Sequence, residues 1–138
     1  MPQGAEGLNP RAFISALKLS QAGDEVSIRR AVSAVFFSPF NYWALKYYLK
    51  GNRGQGPMGD WFSITDFTEF LYSRGLDREA YTLLVYRVAA DHYALNPTVV
   101  RVSDRHWRGA EEKVSIDDRS VKLVLRAAEA VLEAIENY

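Results

Sequence analysis

Apolar positions recur every three or four residues through most of this 138-residue chain, the spacing that places them on one face of an α-helix. A first short helix is expected to begin at Asn9-Pro10, with Asn9 as cap and Pro10 in the first turn. Phe13, Ile14 and Leu17 supply its inner face, and Gly23 closes it. Asp24 can cap a long second helix running to about Leu49, with Ile28, Val32, Val35 and Phe36 at helical spacing. Its far half, with Phe40, Trp43, Leu45, Tyr47 and Tyr48, is apolar almost all round, which calls for burial against more than one neighbour. Pro39 in the middle predicts a kink or interruption, because proline removes a hydrogen bond and crowds the preceding turn. Two separate helices joined at Ser38-Pro39 are the rarer alternative.

Gly51-Asn52-Arg53-Gly54-Gln55-Gly56-Pro57 reads as a loop. A third helix follows over about Ile64 to Arg74, capped by Ser63 or Asp60, with Ile64, Phe67, Phe70 and Leu71 inward and Gly75 at its end. Asp77 is expected to cap a fourth helix carrying Leu83, Leu84, Arg87 and Ala90, closed by Asn96-Pro97. In residues 97–115, Val99, Val100 and Val102 suit a brief extended segment, and Arg101, Arg105, Arg108 and Lys113 make the stretch basic. The last helix starts at Asp117 or Asp118, with Val121, Val124, Ala128, Val131 and Ile135 as its stripe. The sum is an all-α, four-to-five-helix up-and-down bundle without a convincing sheet, one domain over residues 1–138 with 1–8 loose.

Composition narrows the chemistry. With no cysteine, a disulfide framework, a thiolate zinc site and a cysteine nucleophile are excluded. Two histidines without HExxH-type spacing argue against a zinc site, so no metal or cofactor is expected. No apolar run approaches the roughly 20 residues of a membrane span, and Met1-Pro2-Gln3-Gly4 lacks a signal pattern, so a soluble cytoplasmic protein is expected. The net charge is zero, but it is unevenly spread. Val26 to Gly59 holds Arg29, Arg30, Lys46, Lys50 and Arg53 and no acid, whereas the last helix carries Glu129, Glu133 and Glu136. Such asymmetry can turn a positive face toward nucleic acid, and it equally describes a solvated helix flank.

Arg87 and His92 lie five residues apart on the fourth helix. Histidine exchanges a proton near neutral pH, and arginine grips phosphate with a planar fork of donors. Together they are the minimum kit for cleaving RNA without a metal. Five residues of α-helix turn through about 140°, so the two do not share a face unless the helix tightens or two subunits pool their copies. Arg87 and Asp91 form an i,i+4 pair suited to an ordinary ion pair. A second basic cluster, Arg101, Arg105, His106, Trp107 and Arg108, sets an aromatic among cations, as a surface that stacks a base and holds phosphates does. A solvated loop with Trp107 tucked onto the bundle satisfies the same residues. Gly51 to Gly59 lacks the Lys-Ser/Thr ending of a phosphate loop, and no Ser-His-Asp grouping is discernible.

Two passages resemble the HEPN (higher eukaryotes and prokaryotes nucleotide-binding) family of small helical bundles. Arg30-Ala31-Val32-Ser33-Ala34-Val35-Phe36-Phe37-Ser38-Pro39-Phe40 is similar to its aromatic second helix. Leu84-Val85-Tyr86-Arg87-Val88-Ala89-Ala90-Asp91-His92-Tyr93-Ala94-Leu95-Asn96 is similar to its arginine-to-alanine-aspartate-tyrosine passage, with an Arg-x4–6-His signature inside. The resemblance implies a homodimer that binds RNA or a nucleotide, and in active members a metal-independent endoribonuclease. Arg87 would then hold the scissile phosphate and His92 would act as general base or acid. Many members are toxins paired with a small nucleotidyltransferase antitoxin, and others are non-catalytic dimers that bind a nucleotide or a partner protein. This chain departs from active members at Val88, where a polar residue is common, and at Ala94, where one toxin group has tyrosine. Both departures bear on catalysis more than on fold.

Overall fold

The computed structural model describes residues 10–19, 24–102 and 109–138. Among these residues five helices carry the fold: α1 (Pro10–Leu19), α2 (Glu25–Leu49), α3 (Ile64–Ser73), α4 (Asp77–His92) and α5 (Asp118–Glu136). Between α4 and α5 stands an antiparallel hairpin of β1 (Thr98–Val102) and β2 (Ala110–Val114), with Val100 opposite Glu112. The expected helical bundle is therefore present, with a two-stranded sheet added to it.

The helix starts follow from local chemistry. Asp24 accepts from the Ser27 amide at 2.7 Å, satisfying one orphan donor of the first turn of α2. Ser63 and Asp66 form a reciprocal capping box at α3, and Asp117 and Ser120 form another at α5. Asp77 is not the cap of α4. Leu76 occupies that position without a side-chain bond, and Asp77 is the first helical residue, where its charge still meets the positive end of the helix. Gly75 (φ +74°) supplies the left-handed turn that ends α3.

The core is a three-helix packing of α2, α4 and α5, with α1 laid on α2 and α5, α3 on α4 and α2, and the hairpin against α4. Ile28, Val32, Val35 and Phe36 of α2 are buried, as are Leu83, Leu84 and Ala90 of α4 and Val124, Ala128, Val131 and Ile135 of α5. The hairpin adds Val100, Val102 and Val114 to this core and leaves Val99 outward. In α1, Ile14 is buried while Phe13 is 40% exposed, so the expected inner face is narrower than three residues. Asn9, Gly23 and the Leu17 side chain lie outside the described residues.

Pro39 does not interrupt α2, which continues to Leu49 with Pro39 buried inside it. The apolar far half of the helix explains why. Phe36 and Phe40 both pack on Phe67 of α3 (6.0 and 5.4 Å between ring centroids), and Trp43 stacks on Tyr47 at 4.9 Å. Aromatic contacts on both sides of the proline hold the helical path that one missing hydrogen bond would otherwise weaken.

Candidate functional site: a groove between α2 and α4

Arg29 rises from the second turn of α2 and reaches the end of α4. Its Nη1 lies 3.0, 3.1 and 2.6 Å from the carbonyl oxygens of Ala89, Ala90 and Tyr93. The Ala89 carbonyl also accepts from the Tyr93 amide at 3.3 Å, and a cation at this helix end supplies further donors and meets the negative end of the dipole. Nη1 carries two hydrogens, so at least one is shared between acceptors. Arg29 Nε faces Glu25 at 3.3 Å, and the side chain is 16% exposed. Its Nη2 is buried with no hydrogen-bond partner.

Arg87 sits about one turn before Asp91 on α4. Its Nε lies 3.5 Å from Asp91 Oδ2, close enough for an ion pair, yet it makes no hydrogen bond. The guanidinium also lies over the rings of Phe36 and Phe37, at 5.6 and 5.4 Å to their centroids. The same Asp91 Oδ2 accepts from the Ser33 hydroxyl at 3.3 Å. A groove of about 420 Å³ opens beside these groups, lined by Val26, Arg29, Arg30, Ser33, Ala34, Ala90 and Asp91. Arg30 stands exposed on its wall.

His92 ends α4 with its side chain exposed, whereas Arg87 packs against α2. The continuous helix between them leaves the two side chains about 140° apart around its axis. One copy of the chain thus gathers Arg29, Arg30, Ser33 and Asp91 at the groove, with Arg87 paired to Asp91, and sets His92 at a different angle. Just beyond, Asn96 accepts from the Ile116 amide at 2.8 Å and donates to Glu25 at 2.6 Å, tying the α4 exit to α2 and to the start of α5. That bond and the nearby Arg29 charge hold the Glu25 carboxyl below its usual range.

Of the second basic cluster, Arg101 is exposed on β1 and faces Glu111 of β2 at 3.6 Å. Arg105, His106, Trp107 and Arg108 lie outside the described residues. Among the described residues no group of His, Asp and Glu side chains is arranged to hold a metal ion, and no helix is long and apolar enough to cross a membrane.

Arg29 and Ser33 are the site residues that the sequence did not single out. The partners of Arg29 are main-chain carbonyls some sixty positions away, so no residue type at the receiving end announces it. The unbroken basic stretch after Glu25 was the available signal.

A scan with protein-family models, a search of curated proteins and a search of solved structures find no match to this chain.

Proposed function

We propose that this chain is a HEPN-like RNA-binding protein of the cytoplasm, acting as a homodimer, with the groove between α2 and α4 as its phosphate-holding surface. The observation that supports this reading best is Arg29 Nη2, a guanidinium donor without a partner among the described residues, on a side chain that lines the groove. A buried N–H without an acceptor costs about 1–3 kcal/mol, and an anion is its natural complement. Arg30 adds an accessible charge on the same wall, while Arg29 pairs with Glu25 and Arg87 with Asp91. The resemblance of residues 30–40 and 84–96 to the family adds RNA as the source of those phosphates.

Binding of single-stranded RNA, followed by fluorescence anisotropy across a range of salt, tests the proposal. Affinity should fall log-linearly with salt, and Arg30→Ala should weaken binding and reduce the slope by about 0.7, one phosphate contact on a single strand. A slope and affinity unchanged by Arg30→Ala would remove the groove from the account.

Metal-independent cleavage is the second reading, and the exposure of His92 at the end of α4 favours it, since a general base must be reachable. Arg87 and His92 diverge around α4, so cleavage requires two copies to pool them. RNA incubated with the protein in chelator should then be cut, and Arg87→Ala and His92→Ala should lose the activity equally while remaining folded. Saturable RNA or nucleotide binding without product, or capture of a nucleotidyltransferase partner instead, is what a non-catalytic dimer gives.

A further inference from the structure

At the other end of α2 a larger cleft of about 610 Å³ opens among α2, α3, the loop after α2 and Tyr138. Its floor is aromatic. Trp43 stacks on Tyr47 at 4.9 Å, Tyr47 on Tyr138 at 6.1 Å, and Phe62 and Phe70 meet the indole edge-on or tilted at 5.7 and 5.8 Å. The wall facing them is a short loop bridge, Gln55 paired with Trp61. Gly54 is required there, because a Cβ would fall 2.1 Å from the Trp61 carbonyl oxygen.

Trp43 is 1% exposed and lines this cleft, and its Nε1 is buried without a hydrogen-bond partner. Buried indole N–H groups nearly always find an acceptor, so an orphan beside an open cleft points to an acceptor that enters from outside. Two guanidiniums stand over the rings of this cleft. Arg53 lies over the Tyr48 ring at 4.9 Å, and Arg74 lies over Phe70 and Tyr138 at 5.0 and 5.3 Å. The carboxylates of the cleft are already engaged, Asp66 with the Ser63 amide at 2.9 Å and Glu69 with a partner of its own. Among the described residues the indole N–H has no acceptor, and two guanidinium forks lie over ring faces in the same cleft.

We infer that this cleft binds a small planar aromatic anion, its ring among Trp43, Tyr47 and Phe70, an acceptor atom on the Trp43 indole N–H, and its acid group on Arg53 and Arg74. The volume suits such a molecule, since small-ligand clefts run from about 300 to 1,000 Å³. A free aryl carboxylate and a nucleoside monophosphate share this chemistry, and the test separates them. The site is separate from the groove between α2 and α4, and failure of both acids to bind leaves the reading of that groove untouched.

The readout is the side-chain ¹⁵N–¹H resonance of Trp43, assigned by Trp43→Phe, during titration with indole-3-acetate and separately with uridine monophosphate. The expected result is a saturable shift with at least one of the two, the responding acid naming the source. Arg53→Gln with Arg74→Gln, both at the solvent-facing rim, should keep the fold and weaken binding by about tenfold or more, as should the neutral amide of the same ring. A Trp43 resonance unmoved by both acids at millimolar concentration would overturn the inference. So would equal binding of acid and amide, or an affinity indifferent to the arginine pair.

Discussion

At its N-terminal end α2 reaches the last turn of α4 through Arg29, and at its C-terminal end it reaches the last turn of α5 through Lys46. Lys46 Nζ donates to the carbonyls of Ile135 and Glu136 at 2.7 and 3.0 Å, much as Arg29 donates to those of Ala89, Ala90 and Tyr93. The task is the same, since a helix end leaves carbonyls that need donors. The surplus differs. An ammonium is compact and can be used up by two or three acceptors, whereas a guanidinium has five N–H groups in a rigid fork, and here Nη2 is left over. Near Arg29 the groove is lined by small residues and charges, Val26, Ala34, Ala90, Arg30 and Asp91 among them. Near the C-terminal end of α2 the cleft is lined by rings, and among the described residues the Trp43 indole N–H there has no acceptor. One end of the helix therefore offers charge and the other offers rings.

The largest effect should come from the aromatic end. Trp43→Ala empties a fully buried site and should lower stability by about 3–5 kcal/mol in chemical denaturation. Next comes Arg29→Met, which keeps much of the stem and removes the donors. It should cost about 2–3 kcal/mol, with faster amide exchange confined to the end of α4. If Lys46→Met costs as much as Arg29→Met, the contrast drawn between the two caps fails, because the lysine serves fewer carbonyls. Asp117→Ala, which breaks the capping box of α5, should cost only about 1 kcal/mol.

The smallest effect is on pH dependence. Glu25 is held below its ordinary pKa of 4.5, chiefly by the Asn96 hydrogen bond and then by Arg29. A lowered folded pKa contributes stability above the ordinary value and loses it as pH falls through the folded one. Glu25→Gln should therefore be slightly less stable than the parent at neutral pH, and the two should converge below about pH 4 in acid denaturation. A difference that grows on acidification contradicts the placement of Asn96.

Much of the framework is legible in the residue pattern. The caps Asp24 and Ser63, the loop at Gly51, the stop at Gly75 and the stripe of α5 are local features whose chemistry lies within three or four positions. Pro39 permits a kink or an interruption, and the helix runs on without interruption where Phe36, Phe40 and Trp43 hold it through contacts with α3. The hairpin is half legible. Val99, Val100 and Val102 suggest extension, but the partner strand Ala110–Val114 sets Glu111, Glu112 and Lys113 in a row, with little apolar pattern of its own. At the groove Arg87 is visible as an arginine near a histidine, and its ion pair with Asp91 is visible from i,i+4 spacing. Arg29 and Ser33 are not, because their partners on α4 lie about sixty positions away in the chain.

Amide and indole chemical-shift mapping with a short single-stranded RNA compares the two ends of α2 in one titration. The account predicts saturable, salt-sensitive perturbations at Val26–Ala34 and at Ala90–Asp91, with the Trp43 indole left in place. Perturbations confined to the Arg101–Glu111 hairpin, or to the cleft around Trp43 and Arg74, would contradict the assignment of the groove as the RNA surface.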